Sequence, residues 1–123
     1  MLERKELDRV VTMREQLGDT NPESVVLINT FNVDAGDVDE LIAAWEADAA
    51  YFKRQPGFIS TQLHRGIAGS CTFLNYAVWQ DINTFRAAFL NPEFQEKLAA
   101  YPSSTSASPH LFRKMAVPNI CVS

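Results

Sequence analysis

The sequence is poor in the residues and spacings that hold the common cofactors. It has two cysteines, Cys71 and Cys121, and two histidines, His64 and His110. Neither pair has metal-ligand or redox spacing, and no acid cluster stands beside the histidines, so the chain offers no metal set. The cysteines read as two reduced thiols. There is no GxGxxG, no GxxxxGK(S/T), no HExxH and no GxSxG, which removes dinucleotide, P-loop, zincin and serine-hydrolase chemistry in their usual forms. No apolar run approaches the ~20 residues of a membrane span. The opening Met1-Leu2-Glu3-Arg4-Lys5 lacks the apolar centre of a signal peptide, so a cytoplasmic location is expected. Basic residues are scarce too. Eleven stand against fifteen acidic ones, for a net charge of −4, which argues against a nucleic-acid or anionic-membrane partner. At 123 residues, 46% of them hydrophobic, the chain is long enough for one globular core and too short for two.

What is present is a clear succession of periods. Leu2 to Leu17 reads as a short amphipathic helix with a thin apolar stripe, broken by Gly18-Asp19-Thr20-Asn21-Pro22. Residues 1–21 are therefore expected to be a helical extension, and 22–123 the domain. Val25–Val33 is rich in β-branched residues and predicts a strand. Asp37 then offers an N-cap, with Glu40 completing a capping box. Val38, Leu41, Ile42, Trp45, Ala49 and Phe52 follow at helical spacing as far as Gln55-Pro56-Gly57. Phe58–Arg65 alternates as a second strand, with Ile59, Thr61 and Leu63 opposite Phe58, Ser60, Gln62 and His64. A short Gly66–Gly69 connection leads to a third strand, Cys71–Trp79. Asp81 caps a second helix through Phe85 and Phe89, with a break expected at Asn91-Pro92 before Phe94, Leu98 and Tyr101. Pro102–Pro109 reads as a loop and His110–Val117 as a fourth strand. The order β-α-β-β-α-β predicts an α+β, ferredoxin-like fold, with both helices on one sheet face. The other face would present Ile28, Leu74, Tyr76 and Val78. A second copy of the same sheet is the simplest cover, which predicts a homodimer.

Two asparagines break the apolar pattern. Asn29 lies among Val25, Leu27, Phe31 and Val33 on one face of the first strand. Asn75 lies between Phe73 and Ala77 on the third, with Trp79 four residues on and so on the same face. A buried amide without a partner costs a few kcal/mol, about 1–3 in mutational data. Each amide alone is readily met by a loop backbone. The three polar groups together point to a pocket lined by amides and an indole N–H. Phe31, Trp45, Phe52, Phe73, Phe85 and Phe89 supply aromatic wall. His64 is the side chain that titrates near neutrality, hence a base candidate, or else an exposed strand histidine.

The stretches Val25-Val26-Leu27-Ile28-Asn29, Gln55-Pro56-Gly57-Phe58, Leu74-Asn75-Tyr76-Ala77-Val78-Trp79, Phe85-Arg86 and Asn91-Pro92-Glu93-Phe94 resemble the antibiotic biosynthesis monooxygenase family. The resemblance runs from Val25 to about Val117. Within the family the chain is most similar to the small cofactor-independent anthrone oxygenases of aromatic polyketide pathways. The resemblance implies a dimeric α+β barrel with a pocket in each subunit between the sheet and its own helices. It implies no cofactor, with O₂ as co-substrate, and a small aromatic polyketide as substrate. It assigns catalytic roles to Asn29, Asn75 and Trp79; substrate contacts are expected from Phe31, Trp45, Phe52, His64, Phe73, Phe85 and Phe89. The family arginine late in the second helix has no counterpart in Lys97-Leu98-Ala99-Ala100-Tyr101-Pro102, where Lys97 and Tyr101 are the nearest substitutes. Haem degradation needs a histidine where this chain has Gln95-Glu96-Lys97-Leu98. An oxygen-independent isomerase or cyclase, and a non-catalytic dimeric module, stay open as alternatives on the same fold.

Overall fold

The computed structural model describes residues 2–123. Five strands form one sheet in the order β1-β5-β2-β4-β3. They are β1 (Glu3–Arg4), β2 (Val25–Asn32), β3 (Phe58–Arg65), β4 (Thr72–Trp79) and β5 (Ser106–Phe112). The helices are α1 (Met13–Gln16), α2 (Val38–Lys53), α3 (Ile82–Phe89) and α4 (Pro92–Lys97). β1 runs parallel to β5 and every other neighbouring pair is antiparallel. The ferredoxin-like α+β order is as expected, with a two-residue strand added at the edge.

The odd-numbered residues of β2 and β4 turn toward the helices. Leu27, Phe31, Phe73, Ala77 and Trp79 are all buried there, against Leu41, Tyr51, Phe85 and Phe89 from α2 and α3. The opposite face carries Ile28, Leu74 and Val78, half-buried, and Tyr76, which is 39% exposed. On the same face Val26 and His110 are buried, at 9% and 8% exposure, so the chain itself covers part of it and Tyr76 stays open.

The N-terminal segment departs from expectation. Leu2–Leu17 is not one helix: it contains β1 and the single turn α1. Asp8 explains part of this. Its carboxylate accepts from the N–H groups of Val10 and Val11, and such local side-chain bonds compete with helical ones. Helix α1 begins only at Thr12, which forms a reciprocal capping box with Glu15. Met13 and Leu17 then join the main core.

Three smaller expectations also change. Asp37 precedes α2 but makes no capping bond; its carboxylate accepts from the Ser104 hydroxyl at 2.8 Å. The inward stripe of α2 is Val38, Leu41, Ala44, Asp48 and Tyr51, while Ile42 is 38% exposed. In β3 a bulge between Phe58 and Ser60 adds a residue to the strand and reverses the alternation. Phe58 therefore faces inward with Thr61 and packs against Trp79, leaving Ile59 exposed. Gly57, just before it, has φ +85°, and a Cβ there would lie 2.2 Å from the Thr84 hydroxyl, so only glycine fits.

The last strand begins earlier than expected. Ser106–Pro109, expected to be loop, is the first half of β5, and 113–117 lies beyond its end. Pro109 is tolerated inside a strand because of which edge it faces. Thr105 and Ala107 accept bonds from β1 through their carbonyls, so odd positions of β5 point to that edge. Pro109 is the next odd position, past the end of β1, where its missing N–H leaves no ladder bond unmade. At the following odd position the Gln16 side chain takes the place of a strand: its Oε1 accepts from Leu111 N–H and its Nε2 donates to Leu111 C=O, both at 2.9 Å.

Candidate active site

A cavity lies between the sheet and helices α2 and α4, with β1 closing one side. Its sheet wall comes from Asn29, Thr61, Asn75, Ala77 and Trp79, its helical wall from Trp45, Asp48, Ala49 and Phe52, and its far wall from Phe89, Phe94, Leu98 and Tyr101. Small residues create the space. Ala77 sits on β4 between Asn75 and Trp79, and Ala49 and Ala107 face it from other elements. The space that the centre of a water molecule can reach is about 50 Å³, enough for a few waters at ~10–15 Å³ each. Among the lining residues that stay half-buried or exposed are Leu2, Arg4, Trp45, Phe52 and Leu98.

The two asparagines meet. Asn29 on β2 is the register partner of Asn75 on β4, and side chains directly opposite in such a pair stand ~5 Å apart at Cβ. Asn75 Oδ1 accepts from the Thr61 hydroxyl at 2.6 Å, which turns its NH₂ away from β3. Asn29 Oδ1 is buried with no partner. Trp79, 1% exposed, is clamped edge-on by Phe52, Phe58 and Phe85, with ring centroids 5.5–5.6 Å away and interplanar angles of 74–89°. Such edge-to-face contacts fix the indole plane.

Of the ten residues singled out from the sequence, Asn29, Phe31, Trp45, Phe52, Asn75, Trp79 and Phe89 line this cavity. Three do not. Phe85 and Phe73 are 0% and 2% exposed and pack in the two core clusters behind it. His64 is exposed and pairs with Leu74 on β4. Both residues belong to the opposite sheet face, so His64 does not reach the cavity.

Sequence reasoning missed two polar residues of the site. Asp48 is 6% exposed. Its Oδ2 accepts from the Tyr101 hydroxyl at 2.6 Å, and its Oδ1 is buried without a partner. Burial pushes this carboxyl up to about 6, against the pull of the Tyr101 bond and the Lys97 charge. Burial and the neighbouring carboxylate push the Tyr101 phenol well above its ordinary range, so it stays a neutral donor. The signal was available: an aspartate stands three residues after Trp45 and four before Phe52, on an otherwise apolar stripe. Arg4 is the other. From β1 its guanidinium lies over the Phe89 ring, 5.2 Å from the centroid, and no periodicity marked it. Among the described residues no cluster of three or more His, Cys, Asp or Glu is placed to hold a metal ion, and no helix is long and apolar enough to cross a membrane.

The sequence profile of the antibiotic biosynthesis monooxygenase family matches residues 24–100. Deoxynogalonate monooxygenase of Streptomyces nogalater is 32% identical over 90 residues, which are 73% of this chain and 75% of that one. SnoaB, a cofactor-independent oxygenase from Streptomyces nogalater, superposes with a TM-score of 0.71 at 30% identity, over 79% of this chain and 98% of its own. A conserved protein from Methanosarcina mazei Go1 shares the fold at 12% identity, with a TM-score of 0.65 over 76% of this chain and 95% of its own.

Proposed function

The chain belongs to the antibiotic biosynthesis monooxygenase family, and from that premise we propose that it is a cofactor-independent monooxygenase that converts an anthrone-type aromatic polyketide intermediate to the quinone. The observation that carries this reading is the cross-strand pair Asn29–Asn75 inside an aromatic-walled cavity. The name of its relative SnoaB supports the absence of a cofactor.

The chemistry asks three things of such a site. Dioxygen is a triplet, and its direct reaction with a closed-shell molecule is spin-forbidden, so the substrate itself must become the electron donor. Removing a proton from the anthrone methylene leaves a carbanion delocalised over the rings and the carbonyl. That anion passes one electron to O₂, and the radical pair recombines to a peroxide, which loses water to give the quinone. The site must therefore hold a flat molecule, stabilise an oxyanion and exclude bulk water. Trp45, Phe52, Trp79 and Phe89 make a slot suited to the first. The Asn75 NH₂, the Asn29 amide and the Trp79 N–H are the donors for the second, fixed before the charge develops. The enclosing helices serve the third.

The homodimer belongs to the same reading. The partly exposed sheet face with Ile28, Leu74, Tyr76 and Val78 fits a second copy of itself in an isologous contact. The test of function is oxygen uptake by the purified protein with emodin anthrone or 1,8-dihydroxyanthrone, with a chelator present, no flavin or haem added, and autoxidation subtracted. Rapid uptake with formation of the quinone is expected. An equal yield of a rearranged product without oxygen would instead identify an isomerase.

A further inference from the structure

We propose that Asp48 is the base that removes the substrate's acidic C–H proton, and that Tyr101 positions it. The inference rests on the oxygenase reading for its substrate and on the cavity for its residues. Among the described side chains that line the cavity, only Arg4, Asp48 and Tyr101 are titratable types. A guanidinium is always protonated, and the phenol is held neutral. Asp48 is then the one lining group able to accept a proton near neutrality. His64, the candidate from sequence, lies on the other face of the sheet.

The carboxylate is built for one task. Tyr101 occupies Oδ2 and fixes the plane of the group, while Oδ1 keeps its lone pairs free within a buried wall. An unpartnered carboxylate oxygen at this depth is costly as structure and useful as a proton acceptor. The charged groups around it are Lys97 on α4, which holds the carboxyl below where burial alone would put it, and Arg4 on β1 across the same cavity.

The step balances as follows. The methylene C–H bond breaks, its electron pair stays on carbon, and the proton forms an O–H bond at Oδ1. After the carbanion has combined with O₂, the peroxide anion takes that proton back. Asp48 next accepts the second methylene proton as the O–O bond breaks, and the departing hydroxide takes it up as water. The substrate loses four electrons, O₂ gains four, and Asp48 ends as it began.

The experiment measures two readouts on the same proteins with 1,8-dihydroxyanthrone and emodin anthrone: anaerobic exchange of the methylene protons in D₂O, and aerobic oxygen uptake, each above the uncatalysed rate. Wild type is expected to catalyse both, and Asp48→Asn to lose about 100-fold or more of each. Asp48→Glu should recover part of the exchange. Tyr101→Phe removes a donor to the carboxylate, so the midpoint of its pH–exchange profile should rise above that of wild type. This profile also serves if Asp48→Asn fails to fold. Exchange in Asp48→Asn within threefold of wild type, an unmoved midpoint in Tyr101→Phe, or no exchange by wild type with either anthrone would overturn the proposal. Exchange without oxygen uptake would sink the oxygenase reading and leave Asp48 standing. Uptake that survives in Asp48→Asn would do the reverse.

Discussion

Replacing Asp48 with asparagine should shift stability in the variant's favour as pH rises toward and past ~6, while removing activity. Burial raises this carboxyl from 3.8 to about 6, so the folded chain holds the proton more tightly than the unfolded one. Stability from that proton is complete below pH ~4 and is lost as pH rises through ~6. A shift of about 2 units at ~1.36 kcal/mol each makes the loss about 3 kcal/mol at pH 7.5. Asparagine has nothing to titrate. Its oxygen still accepts from Tyr101, and its NH₂ takes the place of the unpartnered Oδ1, so whatever that swap costs is the same at every pH. The quantity to measure is therefore the difference in unfolding free energy between the variant and wild type as a function of pH. Urea unfolding at one fixed protein concentration gives it. The difference should move in the variant's favour by about 2 kcal/mol between pH 4.5 and 7.5, and then stay level. Parallel stability curves would mean that Asp48 titrates normally, and both the buried-charge argument and the proton-acceptor role would fall with it. Stability gained with function lost is the usual mark of a group kept for chemistry.

Four further outcomes are expected. Asn75→Ala and Trp79→Phe should each lower the oxygenation rate by about 10²–10³, the range for losing one oxyanion donor, with stopped-flow oxygen uptake as the check. Arg4→Gln should raise KM for a phenolate-bearing anthrone about threefold to tenfold, as ~1 kcal/mol from an exposed charge allows, leave kcat in place, and lose its effect in high salt. His64→Ala should leave turnover within twofold of wild type, because the imidazole stands on the far side of the sheet; steady-state kinetics decide this. Tyr76→Asp, which puts a charge into the exposed part of that sheet face, should turn a dimer into a monomer in light scattering.

Much of the fold was legible wherever a single period governed a segment. β2 and β4 alternate without interruption, and their register brings Asn29 opposite Asn75 as their shared face required. α3 announces itself through Asp81, whose carboxylate caps Thr84 N–H at 2.8 Å. The misreadings fall where one residue overrides a period. A single extra residue at the Phe58/Ser60 bulge reverses β3. Asp8 bonds its own backbone and unmakes a helix that the Leu and Val spacing suggested. Pro109 reads as loop because sequence does not say which edge a strand position faces. Asp48 was hidden for a related reason. A charge on an apolar stripe invites the eye to move to the neighbouring Ala49, and its partner Tyr101 is 53 residues away. Arg4 was out of reach, since its role depends on a two-residue strand too short to carry a pattern.

That short strand gives the cavity a wall that lies outside the stretch matched by the family profile. Asn29, Asn75, Trp79 and Asp48 lie within the stretch that the family profile matches, while Leu2 and Arg4 lie ahead of it. The groups proposed to react sit on the long strands β2 and β4 and the long helix α2. The wall from β1 is held to β5 in part by the bonds from Glu3 N–H to Thr105 C=O and from Lys5 N–H to Ala107 C=O, and Leu2 packs against the second core cluster. Under the proposed function, changes in this wall alter which molecule fits rather than how it reacts. A library confined to positions 2 and 4 is the shortest route to a new substrate.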